Sequence, residues 1–223
     1  MKLVAILGSP HGIKGTTGQM LEALVAGAKE NGAEVETFVL ARMEVQPCRA
    51  CDVCHKTGEC AIEDDFGRIK RAMLAAEGIV LASPNYIFSV TAQMKALLDR
   101  TCGPLHLQAF EGKYGAVVVS SGGDGSEEVE RYMIRFLRSH NLWTAGSIGA
   151  AAWELGDPAR RAQILQGAAK LGTRLVQAIA NKETFADQMA ERRAFHERMK
   201  QLVAMRKADW PYEYEYWQAR GRP

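Results

Sequence analysis

The chain has 223 residues, enough for one sizeable α/β domain with an extension and too few for two full domains. Its 47% hydrophobic and 24% charged residues are ordinary for a globular protein, and a formal charge of +2 gives no electrostatic case for a nucleic-acid or anionic-membrane partner. No apolar run approaches the ~20 residues that cross a bilayer, and the first is too short for a signal segment, so the expected location is cytoplasmic.

Residues 3–7 read as a buried strand that runs into Gly8-Ser9-Pro10-His11-Gly12-Ile13-Lys14-Gly15-Thr16-Thr17, with a helix over 15–31 behind it. Small residues let this backbone curl with its N–H groups inward. Hydroxyls of Ser9, Thr16 and Thr17 add donors, and the helix start adds a positive dipole, so the turn suits a phosphate. It is neither a Walker loop nor a G-x-G-x-x-G turn, which argues against a triphosphatase and a dinucleotide site. Lys14 either reaches the phosphate or stays solvated.

A second strand over 34–40 leads into an insertion, 43–64, that carries Cys48, Cys51, Cys54 and Cys60. The spacing C-x2-C-x2-C-x5-C can turn four thiolates toward one point, as a 4Fe–4S cluster requires. Zinc held by four thiolates and a metal-free redox-active loop are the alternatives. Two unstrained disulfides are disfavoured at such short gaps, and a reducing compartment makes the run metal-binding or redox-active. His55 is expected to be solvated, and Cys102 to be an inert, buried helix residue.

A helix over 65–76, capped by Asp64 or Asp65, and a strand over 79–83 come next. The loop Ser83-Pro84-Asn85-Tyr86-Ile87-Phe88-Ser89-Val90 then offers an amide edge and apolar faces to a heterocycle. A helix over 91–102 ends in Asp99 and Arg100, expected to form a structural ion pair. After a strand over 115–120, the glycines of Ser120-Ser121-Gly122-Gly123-Asp124-Gly125-Ser126 allow close approach of a ligand. A helix over 127–140, a strand over 144–151 and a helix over 157–180 complete the alternation, the last opened by an aspartate cap and a proline.

Near-continuous apolar strands alternating with helices predict a parallel sheet covered on both faces: an α/β, flavodoxin-like, doubly wound, five-stranded sheet of order 2-1-3-4-5. Residues 1–181 form that domain, with 43–64 as a cysteine-rich insertion and 182–223 as a C-terminal helical extension. The extension reads as a charged helix over 184–207 followed by Trp210, Tyr212, Tyr214, Tyr216 and Trp217. These aromatics either pack on their own domain or, as expected here, reach across a subunit interface.

The three strand-end loops converge on one crevice that suits FMN, its phosphate in the first loop and its ring between the others. Gly8-Ser9-Pro10, the cysteine comb followed by Asp64-Asp65, Ser83-Pro84-Asn85-Tyr86, and Lys95 with Asp99-Arg100 resemble the NADPH-dependent FMN reductase family, and more narrowly its iron–sulfur flavoprotein branch. The resemblance covers about residues 1–180. It implies FMN at Ser9, His11, Thr16 and Thr17, at Pro84, Asn85, Tyr86, Ile87 and Phe88, and at Ser121, Gly122 and Gly123. It also implies a 4Fe–4S cluster on Cys48, Cys51, Cys54 and Cys60 and a homodimer or homotetramer. His11 stands where the family usually has arginine, and Thr16 where it has asparagine.

The expected function is a flavoprotein oxidoreductase that passes electrons through FMN and the cluster, with NAD(P)H or ferredoxin as donor. Its rivals are a cluster-free NAD(P)H-dependent FMN or quinone reductase and a non-enzymatic redox or metal sensor. No basic patch or DNA-binding motif supports the sensor.

Overall fold

Five short segments become the strands of one parallel sheet: β1 (Lys2–Leu7), β2 (Glu34–Val39), β3 (Gly78–Pro84), β4 (Tyr114–Ser121) and β5 (Trp143–Ala151). Their order, β2-β1-β3-β4-β5, is the flavodoxin-like one. The computed structural model describes residues 1–221, so the last two positions of the 182–223 extension lie outside the described residues.

Side chains alternate strictly across this sheet, which is why its central strands are apolar throughout. Val4, Ile6, Ile79, Leu81, Val117 and Val119 face one core; Leu3, Ala5, Leu7, Val80, Ala82 and Val118 face the other. Helices α1 (Thr16–Glu30), α2 (Val53–Thr57), α3 (Phe66–Ala75), α4 (Ala92–Asp99), α5 (Cys102–His106) and α6 (Ser126–Ser139) connect the strands, and α7 (Pro158–Ala180) follows β5. Residues of α3, α4 and α6 fill the first core, and α1 and α7 cover the second. Two glycines set that last crossing. A Cβ on Gly27 would stand 2.1 Å from the Ala169 carbonyl oxygen, and one on Gly172 would stand 2.0 Å from that of Leu24. Only hydrogen fits between the two backbones.

Two expected helices differ from their reading. The one over 91–102 breaks after α4, because Pro104 cannot donate the bond that would continue it, and α5 starts anew at Cys102. Beyond α7, a 3₁₀ turn at Ala186–Gln188 precedes α8 (Met189–Met205). The Gln188 amide bonds both the N–H and the carbonyl of Thr144, at 2.9 Å each, closing part of the β5 edge.

The aromatic tail is itself a helix, α9 (Pro211–Ala219), started by proline at its first position. Its buried face, Glu213 and Trp217, lies on its own chain, with Trp217 Nε1 donating to the His106 carbonyl at 3.0 Å. Trp210 covers the rings of His55 and His106. The tail therefore closes over the cysteine loop of the same chain.

Candidate functional site

Two sites emerge at the strand carboxyl ends and beside them. In the first, the three predicted loops are tied to one another by buried polar bonds. Thr91 Oγ1 donates to the Gly8 carbonyl at 2.7 Å and accepts from Met94 N at the start of α4. Thr17 and Ser120 share a hydroxyl bond of 2.6 Å. Asn85 donates its backbone N–H to Ser120 O at 2.6 Å and its Nδ2 to Asp124 O at 3.0 Å. Loop one is thus joined to loops two and three, and loop two to loop three.

Within loop one, Ser9 and Thr17 are buried, Thr16 is half-buried, and His11 and Lys14 are exposed. Thr17 shares its hydroxyl with Ser120, and that hydroxyl keeps further hydrogen-bonding capacity for a ligand. The start of α1 has no side-chain cap and no acidic residue in its first turn. Helix starts of this kind bind anions through free N–H groups and the dipole.

Loop two holds its aromatics in an unusual turn. Tyr86 and Ser89 exchange two backbone bonds, of 2.9 and 3.2 Å, across Ile87 and Phe88. Both central residues have positive φ, +50° and +59°. That is the backbone of a type I′ turn, which favours Asn and Gly and strains a β-branched Ile. Strain of this kind gathers at ligand clamps. Here it thrusts Ile87 (92% exposed) and Phe88 (70% exposed) outward, with Tyr86 exposed beside them and Pro84 buried in β3.

Two further features fit FMN. Asn85 Oδ1 is buried without a hydrogen-bond partner, an acceptor that a ring N–H can satisfy. Gly122 and Gly123 are exposed, and a Cβ added at either meets nothing within 4 Å, so the space beside them is free for a ligand. Ser121 closes the group as a buried residue at the end of β4.

The second site is the cysteine insertion. Ala50 and Asp52 both take left-handed conformations, φ +50° and +58°, and these kinks wrap the comb. Cys48, Cys51, Cys54 and Cys60 line one cavity of about 340 Å³. Ala50 N–H points at Cys48 Sγ, 3.4 Å away. On the far wall the Arg100 guanidinium donates to Cys60 Sγ at 3.2 Å, to Ile62 O at 3.0 Å and to Asp64 Oδ2 at 2.5 Å.

Sulfur spacing discriminates between ions. Four thiolates on one zinc at ~2.3 Å stand about 3.8 Å apart. No three of the comb residues bring their ligand atoms within 4.8 Å of one another among the described residues. A four-iron core holds its four thiolates farther apart than one zinc does.

Arg100 corrects one expectation. Its ion-pair partner is Asp64, with both side chains buried, while Asp99 pairs with Lys95 on the surface. Burial alone pushes the Asp64 carboxyl up, but Arg100 and the N–H groups of Gln46 and Phe66 outweigh it and hold it below the usual carboxylate range. Its Oδ1 does take the Phe66 N–H at 3.0 Å, so capping is a second duty.

His55 and Cys102 depart from their readings as well. His55 is 5% exposed, and its Nδ1 meets Glu213 Oε1 at 2.6 Å. Burial opposes its charge, yet bonds to Cys102, Cys54 and Glu213 push its pKa up to about 12. Cys102 is half-buried and lines the comb cavity. Burial pushes its thiol up, but His106 and His55 bring it down to about 6. Glu213 arrives from a helix more than a hundred residues away, so no local pattern announced it. A signal did exist for Cys102 and His106, which stand four apart on one helix face.

The profile of the NADPH-dependent FMN reductase family matches residues 1–154. An iron–sulfur flavoprotein from Archaeoglobus fulgidus is 32% identical over 228 residues, covering 99% of both chains. An NAD(P)H dehydrogenase (quinone) from Methanosarcina barkeri is 32% identical over 121 residues, 50% of this chain and 56% of that protein. Among solved structures, an NAD(P)H:quinone oxidoreductase from Methanothermobacter marburgensis superposes with a TM-score of 0.64 at 18% identity, over 78% of this chain and 96% of that one. At that identity the likeness speaks for the fold.

Proposed function

Because this chain belongs to the NADPH-dependent FMN reductase family, in its iron–sulfur flavoprotein branch, and is an FMN-dependent oxidoreductase, we propose that it also carries a 4Fe–4S cluster and passes electrons between cluster and flavin. FMN supplies two-electron chemistry with single-electron release, and the cluster supplies one-electron steps. In this reading residues 1–181 are the FMN-binding domain, 43–64 its cluster-bearing insertion and 182–223 the extension that covers it. NAD(P)H is the donor, with ferredoxin as the alternative.

The observation that carries the reading is the single cavity lined by Cys48, Cys51, Cys54 and Cys60, with Ala50 N–H and Arg100 directed at two of the sulfurs. Such donors stabilise thiolate and hold it in place. On the flavin side, the α1 start with Ser9 and Thr16 holds the phosphate, while His11, exposed at the rim, faces solvent near it. Tyr86, Ile87 and Phe88 cover the ring, Asn85 Oδ1 binds its edge, and Pro84, Ser121, Gly122 and Gly123 form the floor. Exposed Ile87 and Phe88, adjacent in one turn, give an apolar surface for a second copy, as a homodimer or homotetramer requires.

Iron and acid-labile sulfide counts on anaerobically purified protein test the cluster, with four of each per chain expected. Cys51→Ser and Cys54→Ser should lose iron and keep FMN. One zinc with no iron refutes the reading, as does full iron in both variants. Thr16→Asp tests the phosphate site: FMN should be lost while riboflavin affinity changes little. The relative from Methanosarcina barkeri, named a quinone-linked dehydrogenase, favours a second reading without a cluster; steady NAD(P)H-dependent quinone reduction by iron-free protein would establish it.

A further inference from the structure

Beside the comb, three ligand-bearing residues converge that the electron-transfer reading does not use. The ligand atoms of His55, Cys102 and His106 all lie within 4.8 Å of one another. Cys102 Sγ is 3.7 Å from His106 Nε2. Behind the rings stands one carboxylate. Glu213, 0% exposed, takes His55 Nδ1 on Oε1 at 2.6 Å and His106 Nδ1 on Oε2 at 3.1 Å. With Nδ1 of each ring held by Glu213, the Nε2 atoms remain for a ligand, that of His55 standing 3.8 Å from Asp52 Oδ1. A metal-bound histidine characteristically gives its other N–H to a carboxylate, and here one glutamate serves two rings.

Ring geometry supports the same conclusion. The His55 and His106 centroids lie 4.9 Å apart. The ring planes are inclined by 22°, and at that separation one ion can reach both rings. Charges close too: a divalent cation, the Cys102 thiolate, the Glu213 carboxylate and two neutral imidazoles sum to zero. Burial without a charge remainder removes the main cost of a buried ion. His55 and Cys102 also line the comb cavity, which leaves room there for water as a fourth ligand.

We propose that His55, Cys102 and His106 bind one divalent cation of the zinc type, with Glu213 as the carboxylate that orients both imidazoles. Two imidazoles and a thiolate are donors of borderline softness, suited to zinc and to cobalt as its substitute. The cation joins α2 to α5, and Glu213 fastens α9 over both, so it pins the cysteine loop beneath the tail. Trp210 packs on the two rings, 4.6 Å from His55 and 4.8 Å from His106, and shields them from water. This site shares none of the comb's four thiolates as ligands, although His55 also bonds the comb's Cys54.

The test uses the full chain, purified anaerobically with FMN, incubated with excess Co²⁺ and desalted. Wild type should retain one equivalent of cobalt with a thiolate-to-cobalt charge-transfer band that Zn²⁺ removes. Cys102→Ser should abolish the band, and His106→Gln should lower retained cobalt to a small fraction of an equivalent, with iron, sulfide and flavin unchanged in both. Glu213→Gln should weaken cobalt binding by about 10–100-fold. Cys51→Ser, which strips the comb, should keep the cobalt equivalent. Failure of wild type to retain cobalt or zinc at micromolar concentration overturns the proposal, as does equal retention by Cys102→Ser and wild type. Iron without cobalt would sink this site alone, and cobalt without iron would sink the cluster alone.

Discussion

Replacing Ile87 by Asn and Phe88 by Gly should make the flavin-free protein more stable while weakening its hold on FMN. Left-handed backbone costs an L-residue about 1–2 kcal/mol, and Ile87 and Phe88 both adopt it, at +50° and +59°. Asn and Gly accept that conformation readily, so about 2–3 kcal/mol of native-state strain disappears. Two losses oppose this gain. Gly adds roughly 0.5–1 kcal/mol of unfolded-state entropy. Little burial is lost, because Ile87 is 92% and Phe88 70% exposed; we assign it under about 1 kcal/mol. The net is about 1 kcal/mol in favour of the variant. With an m-value of roughly 2 kcal/mol/M, the urea midpoint should rise by about 0.5 M.

Equilibrium urea unfolding of flavin-free protein measures the first effect, and titration with FMN the second. A tenfold or greater loss of FMN affinity, about 1.4 kcal/mol, is expected once both apolar faces are gone. A lower urea midpoint would refute the strain argument and would mean that the two side chains are covered in the free protein, as by a second subunit. A stabilised variant with unchanged FMN affinity would show that the turn serves something other than the flavin. Light scattering on the same samples follows the subunit count.

Three further outcomes follow from buried groups. Arg100→Gln leaves the Asp64 carboxylate buried without its cation and Cys60 without a charged donor; stability should fall by about 3–5 kcal/mol, and bound iron should fall with it, whereas full iron would remove Arg100 from the cluster's support. His140, fully buried between Phe110 and Phe136 and bonded to Thr101, has its pKa pushed down to about 4 by burial. The folded protein therefore binds this proton more weakly than the unfolded one, so stability is complete above about 6.5 and is lost as pH falls through 4; between pH 7 and 5 the loss is about 2 kcal/mol. His140→Gln should flatten that slope in urea titrations, and an unchanged slope would refute the assignment. Truncation after Ala208 removes Trp217, which is 3% exposed, at a cost of about 2–3 kcal/mol; the subunit count should stay the same, and a lower count would return the tail to an interface.

The sheet was legible because its central strands are apolar on both faces, a pattern only a doubly covered parallel sheet explains. The comb and the three loops were legible because glycine, proline and cysteine act over a few residues. What escaped depends on distance along the chain. Arg100 bypasses its neighbour Asp99 for Asp64, 36 positions away, because only that carboxylate is buried beside the guanidinium. The bonds from Thr91 to Gly8 and from Thr17 to Ser120 span 83 and 103 positions. Tyr and Trp favour strands, which hid α9 inside a run of aromatics. Its helical spacing, Trp210, Glu213 and Trp217, becomes readable once one face is known to be buried.

A single helix relates the Gly8–Thr17 loop to the cysteine comb. At its start, Thr91 caps α4 and holds the Gly8 carbonyl of the phosphate loop; just past its end, Arg100 holds Cys60 of the comb. Nine residues separate Thr91 from Arg100, about 13 Å at 1.5 Å per residue. The distance between the phosphate loop and the comb is thus set by a rigid element packed into the core through Met94, Leu97 and Leu98, and flexible loops have little freedom to alter it. The exposed apolar turn at Ile87 and Phe88 belongs to the loop that leads into the start of this helix. A second copy docking there would bring its own surface against the ring side of the crevice while each chain's comb stayed fixed. Within each chain, α4 fixes where the comb stands relative to the Gly8–Thr17 loop.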